Sequence, residues 1–194
     1  MKPKIAVLLL CGLLAPAMQA RAKTILPDAC GDDGVKFDVT TQKDQPPPSA
    51  PAEGKAQIVF ISTIPRCIGN CDVSRIGMDG AWVGANKENS YFALTVEPGE
   101  HHLCVSVQSP GQLGKIGIGV ATIKAEPGKV YFFEDALGSS GGGGYVPPTA
   151  GPNGLSGGGQ VMGGGKLYFN LTQLDDDMGK YRVKAYKLAT WKTK

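Results

Sequence analysis

From residue 56 to residue 137 apolar and polar positions alternate in short runs, broken by Gly, Pro, Asp and Asn. A period of two belongs to strands, because successive side chains leave a strand on opposite faces. In "KAQIVFIST" the unbroken apolar run Ile58 to Ile61 predicts a buried strand. "IPRCIGNCDVS" is a loop holding two close cysteines. "RIGMDGAWVGA" places Asp79-Gly80 between two apolar runs, the strongest local hairpin signature, since a type I′ turn needs positive φ at both central residues. Tyr91 to Val96 follows as a strand with Phe92, Leu94 and Val96 on one face. Glu97-Pro98-Gly99-Glu100 reads as a type II turn, and His101 to Gln108 returns as a strand. The pattern then repeats as "KIGIGVATIK", "AEPGK" and "VYFFEDA". Two Glu-Pro-Gly turns 29 residues apart describe a β-meander; two copies are too few for a solenoid.

The flanks differ in texture. Residues 23–55 form an N-terminal segment with one short alternating stretch, Val35 to Val39, and the proline-rich linker "TTQKDQPPPSAPAEG". Residues 138–165 hold 13 glycines in 28 positions and read as a flexible insertion. Residues 166–194 supply a last strand, "KLYFNL", and an ambiguous tail. Tyr181, Val183 and Ala185 alternate like a strand, whereas Met178, Tyr181, Ala185 and Leu188 mark one helical face. Asp175 to Asp177 suit a helix start, so the tail is read as a short helix. The expected fold is mainly β: an antiparallel β-sandwich built from hairpins and meanders, centred on residues 56–137, with a short C-terminal helix.

Residues 1–22 read as an export signal outside the fold. Lys2 and Lys4 precede an apolar run, Ile5 to Ala15, that is too short to span a bilayer, and Ala20-Arg21-Ala22 is a cleavage signature. A lipid anchor at Cys11 is disfavoured by the large Leu10 before it. Cleavage alters the charge. The whole chain carries +3 from 20 basic and 17 acidic residues, and the leader takes Lys2, Lys4 and Arg21 with it, leaving 17 of each. A neutral mature chain with scattered lysines argues against nucleic acid as a partner. No later stretch is apolar and long enough to cross a membrane.

Four cysteines remain: Cys30, Cys67, Cys71 and Cys104. In an exported chain an even number reads first as disulfides. Three connectivities exist; Cys67–Cys71 as a loop clasp and Cys30–Cys104 as a long bridge is the favoured one. His101 and His102 are the only histidines. On a strand His101 shares a face with Leu103 and Val105, and His102 with Cys104 and Ser106, so the pair cannot chelate one metal together. A zinc site would need His102, Cys104, Cys67 and Cys71, but the C-x3-C spacing is loose and export favours disulfides. No metal or other cofactor is expected.

Other constellations fail on context. Gly154-Leu155-Ser156-Gly157-Gly158 matches a serine-hydrolase elbow but sits in a glycine tract, with no histidine after it. Asp175-Asp176-Asp177 lacks the spaced ligands of a calcium loop. Glu134 and Asp135 are adjacent on a strand and face apart, poor geometry for a glycosidase pair. The sequon Asn170-Leu171-Thr172 carries no weight beside a bacterial-looking leader. Trp82, Tyr91 and Tyr145 are candidate platform aromatics for a sugar or peptide, against their more usual use in a core.

"DGAWVGANKENSYF" followed by "VEPGEHHLC" resembles a bacterial family of exported proteins known as domain of unknown function 2846. The likeness extends to "PDACGDDGVKFDV", "AEPGKVYFF" and "LDDDMGKY"; the Cys67/Cys71 pair and the glycine-rich insertion look like departures. The resemblance implies an envelope or secreted β-domain and carries over no catalytic residue. The reading is a non-catalytic exported β-sandwich acting as a structural or binding module of the bacterial cell envelope, its partner an envelope protein or glycan. Trp82, Tyr91 and His102 are its candidate binding residues. A carbohydrate- or peptide-binding module and a Cys/His metal protein are the alternatives.

Overall fold

The computed structural model describes residues 27–64, 73–108, 118–139, 149–150, 156–157 and 167–194. The strands are β1 (Phe37–Gln42), β2 (Ala56–Thr63), β3 (Val73–Met78), β4 (Ala81–Lys87), β5 (Asn89–Val96), β6 (Gly99–Val107), β7 (Gly119–Ala125), β8 (Val130–Ser139), the two-residue β9 (Thr149–Ala150) and β10 (Ser156–Gly157), and β11 (Leu167–Leu174). Helix α1 (Asp176–Ala185) and β12 (Lys187–Thr193) complete the chain. A six-stranded sheet in the order β1-β12-β5-β2-β8-β11 faces a four-stranded sheet, β4-β3-β6-β7.

The two sheets bury one shared core. Ile58, Phe60, Phe92, Phe133 and Leu171 come from the larger sheet and Ile76, Leu103, Val105 and Ile123 from the smaller. The alternate residues of the larger sheet, Val59, Ile61, Tyr91 and Phe132, form a second core under Val183 of α1. Seven of the eight residues of β2 are therefore buried, which explains its unbroken apolar run: the strand is covered on both faces.

The mainly-β sandwich agrees with the pattern of the sequence, but its connections do not. Asp79 (φ 51°) and Gly80 (φ 88°) make the expected turn between β3 and β4, with a bulge between Ile76 and Gly77. Neither Glu-Pro-Gly turn joins neighbouring strands, however. β5 and β8 lie in the larger sheet and β6 and β7 in the smaller, so both turns carry the chain from one sheet to the other. The meander reading is corrected on this point: alternation fixes which residues face inward but not which sheet a strand joins. Lys129 N donates to Glu126 O at 3.2 Å and Gly128 has φ 74°, as a type II turn requires. At the first turn Gly99 opens to φ 146°, and the Glu97 carbonyl is bonded by the His101 ring instead.

The larger sheet is mixed rather than antiparallel throughout, since β2 pairs parallel with β8, and β12 with β5. β12 is a strand the pattern did not predict. It returns through α1 and forms the bed for β1, whose Phe37 to Gln42 pair with Thr193 to Leu188. Residues 37–42 thus belong to the body of the domain and not to a separate N-terminal segment. Helix α1 starts as expected, with Asp175 Oδ1 accepting from Met178 N at 2.8 Å and Asp176 and Asp177 in the first turn. Its buried face is not the expected one. Met178 and Tyr181 are exposed, while Gly179 and Val183 pack inward. A Cβ on Gly179 would lie 2.2 Å from the Phe132 ring, so the missing side chain is what lets the helix lie this close.

Gly179→Ala is expected to cost net stability, because an overpacking penalty of about 1–3 kcal/mol outweighs the ~1 kcal/mol gain in helix propensity. Tyr181→Ala should stay within about 0.5 kcal/mol. Urea unfolding of both variants checks the order; equal midpoints would count against the packing assigned to Gly179.

Candidate functional site

On the outer face of the smaller sheet, Arg75, Gly77, Trp82, His102 and Cys104 alternate with the core residues Ile76, Leu103 and Val105. Residues 27–35 lie across this face as a strap. Cys30 and Cys104 are joined in a disulfide with Cα atoms 5.4 Å apart, across a sequence separation of 74. Gly31 and Gly77 are needed beneath the strap. A Cβ on Gly77 would meet the Ala29 carbonyl at 2.8 Å, and one on Gly31 would enter the Trp82 ring at 2.4 Å.

Arg75 is 3% exposed and is the hub of the contact. Its Nη1 donates to the carbonyls of Asp33 and Val35 at 3.0 and 2.8 Å, and its Nη2 to the Asp33 carboxylate at 3.0 Å. The guanidinium stacks 4.5 Å from the centre of the Trp82 ring. Trp82 in turn donates from Nε1 to Asp32 O at 2.7 Å. A buried charge is tolerated only with such partners. Sequence reasoning passed over Arg75; a lone arginine at an outward position of a strand gives no warning that a strap will cover it.

The two histidines do face opposite ways. His101 Nδ1 lies 2.6 Å from Asp79 Oδ2 and its Nε2 lies 2.9 Å from Glu97 O. Both neighbours are acceptors, so the doubly protonated ring serves both. Burial alone would lower the His101 pKa, but the Asp79 carboxylate and the Glu97 carbonyl outweigh it, and the net shift is upward. Burial likewise works to raise the Asp79 pKa. Bonds from the His101 ring and the His102 amide, the latter 2.8 Å from Asp79 Oδ1, overcome it and hold the carboxyl below its usual range. His102 is exposed, with Thr122 Oγ1 at 3.3 Å and Glu100 Oε1 at 3.4 Å.

The three candidate binding residues are not brought together. Trp82 is engaged under the strap, and His102 sits at the open end of that same sheet. Tyr91 is 1% exposed on the far side of the sandwich, in the core beneath α1, where its hydroxyl donates to Pro46 O at 3.5 Å. The aromatic platform of Trp82 and Tyr91 is therefore corrected: two strands in different sheets present their rings to opposite outer faces. The zinc set loses Cys104 to the disulfide; Cys67 and Cys71 lie outside the described residues, as does Tyr145. Among the described residues no group of three or more His, Cys, Asp or Glu is placed to hold a metal, and no helix is long and apolar enough to cross a membrane.

Two features stood outside the sequence reading. One is a groove of about 1120 Å³ on the helix side of the larger sheet. Val59, Val130, Phe132 and Val183 line it, Pro47 to Ala50 form one wall, and Lys124, Lys129, Lys180 and Lys184 stand around it with Glu126 and Asp176. The other is a polar layer inside the sandwich. Ser62, Ser74, Asn86, Ser90 and Asp135 are all buried, each two positions from a buried inward-facing residue of its own strand (Phe60, Ile76, Gly84, Phe92 and Phe133). Register aligns them: Ser62 pairs with both Ser90 and Asp135, and Ser74 pairs with Asn86. Burial pushes the Asp135 pKa up to about 7, against the smaller opposing effect of the Ser74 and Ser62 hydroxyls. The signal was legible in principle, as polar residues at the inward parity of five strands. Glu134, its neighbour, points the other way to Arg182 of α1 at 3.1 Å, as expected of adjacent strand residues.

No family model, curated protein or solved structure matches the chain.

Removing the Cys30–Cys104 bridge, by reduction or by the double Cys→Ser variant, should lower stability by about 4 to 5 kcal/mol in the chain-entropy model. Guanidinium unfolding with and without reductant measures it, and an unchanged midpoint would sink the assignment of the strap as a stabilising element. The His101 pair contributes stability that is full below the unfolded imidazole pKa of ~6.5 and is lost as pH rises through its higher folded value. Asp79→Asn keeps a residue tolerant of positive φ but removes the charge. The His101 pKa, followed by NMR titration, should then fall; an unaltered value would reject the pairing.

Proposed function

We propose that the protein is a non-catalytic, exported β-sandwich serving as a structural or binding module of the bacterial cell envelope. The observation that carries this is the internal use of its chemically capable side chains. Cys104, Arg75, Trp82, His101 and Tyr91 each have a partner within the same chain. Such groups stiffen a scaffold and are not poised on a substrate. Export is supported by the leader-like residues 1–22 and by a buried bridge that suits an oxidising compartment. The resemblance to an exported family of unknown function points the same way.

We assign the partner to the groove beside α1, and its form to an extended peptide from an envelope protein. The groove has an apolar floor and a rim of both charge signs, and the chain's own Pro47 to Ala50 already lies along it as one wall. Proline-rich segments are extended before they bind, so a similar segment would lose little entropy there. The sugar- or peptide-platform reading rested on Trp82 beside Tyr91, and those rings are engaged on opposite faces. The metal reading needed Cys104 as a free thiolate.

A photo-crosslinking residue at Lys129 or Lys184 in the native envelope should give one discrete protein adduct. The same residue at Lys192, on the strand facing β1, should give none. Absence of an adduct at the groove, or identical adducts at all three positions, would reject the assignment, as would any turnover abolished by His102→Ala.

A further inference from the structure

The polar layer between the sheets holds one carboxyl among hydroxyls and, among the described residues, no cationic side chain. Asp135 is 1% exposed, and among the described residues neither of its carboxylate oxygens has a hydrogen-bond partner; nor has Ser74 Oγ. Ser62 Oγ accepts from Ile64 N at 3.4 Å. Asn86 and Ser90 are already tied up, Asn86 Nδ2 donating to Phe60 O at 3.3 Å and Ser90 Oγ to Asn86 Oδ1 at 3.4 Å. Oxygen atoms from three strands, β2, β3 and β8, thus converge. Only the Ser62 and Ser74 hydroxyls and the backbone oppose the burial of the carboxylate, with no positive charge among the described residues to neutralise it. An unpaired buried carboxylate is costly, and packed interiors keep few of them.

The charged groups on the surrounding strands turn away. Glu134 and Lys87 follow the opposite parity of β8 and β4, and Arg75 faces the strap. The sole charge felt by Asp135 among the described groups is Glu134, which is of like sign. β5 and β11 contribute Ser90, Leu171 and Thr172, all neutral, in register with Ser62, Asp135 and Glu134.

We propose that this layer is a binding site for one monovalent alkali cation, held by Asp135 with the hydroxyl oxygens of Ser62 and Ser74. The charge count selects the class. A single buried carboxylate is neutralised by one positive charge, whereas a divalent ion would leave an uncompensated charge in an apolar core. The all-oxygen donor set suits a hard cation and excludes the soft metals that need sulfur or imidazole. A proton is the competitor, and it can satisfy only one carboxylate oxygen. The layer closes the end of the core from which β2 leaves and β3 enters, next to the turn from Lys87 to Asn89, so it stands one residue from the chain ends of four strands.

The test compares unfolding of the mature protein in 0.5 M sodium chloride with 0.5 M choline chloride, whose cation is too large for the layer. At pH 8.5 sodium should raise the folding equilibrium constant roughly tenfold if its Kd is about 50 mM. The difference should vanish at pH 5.5, where a proton holds the carboxyl, and should be absent in Asp135→Asn. Equal stability in sodium and choline at pH 8.5 would overturn the site and leave the proton as its sole occupant. A sodium effect that persists in Asp135→Asn would overturn it too. Should that variant fail to fold, ²³Na relaxation on the wild-type protein decides. Line broadening displaced by acid supports the site, and broadening indifferent to pH rejects it.

Discussion

Burial of β2 on both faces governs the rest of the architecture. Ile58 and Phe60 point into the core shared with the smaller sheet, while Val59 and Ile61 point under α1. Each fully buried side chain of this kind contributes roughly 1.5–3 kcal/mol, but only if both covers are in place. The chain satisfies that demand by crossing repeatedly between sheets, at Glu88, at Glu97 to Gly99 and at Glu126 to Gly128, and by laying α1 over the remaining face. Gly179 matters for the same reason. A side chain at 179 would collide with the Phe132 ring of the neighbouring β8 and push the helix off this face.

A second cover, the strap of residues 27–35, closes the outer face of the smaller sheet with a different chemistry. Here a disulfide, a guanidinium and an indole do what apolar packing does elsewhere. An edge segment with no sheet of its own cannot bury enough apolar surface to hold itself down, so directional bonds and a covalent link take over. The residues that looked most like a binding surface are thereby spent on the fold. What remains available is concave and lies on the opposite side, between α1 and the proline-rich segment.

The polar layer runs against this economy. Four of its members have small or amide side chains that neighbouring strands can accommodate, and Ser90 and Asn86 close bonds to each other. Asp135 does not, and its carboxyl is buried with no cationic side chain among the described residues beside it. Such a group weakens the isolated fold, which is the physical ground for assigning it a ligand and not a packing role.

The period-two pattern by itself determined that the domain is mainly β. It also set which residues of each strand face inward, where the Asp79-Gly80 turn falls, and where the C-terminal helix begins, because these follow from local backbone geometry and capping. The Cys30–Cys104 pairing was chosen among three, and the separation of the two histidines to opposite faces came from strand parity alone. Only the tertiary structure decided that both Glu-Pro-Gly turns switch sheets, that β12 returns parallel to β5, and that Gly179 and Val183 face the core in place of Met178 and Tyr181. It also decided that Trp82 and Arg75 serve the strap and that five polar residues from five strands share one level. Those facts depend on which strand lies beside which, a choice made by long-range burial and register, and no short window of residues encodes it.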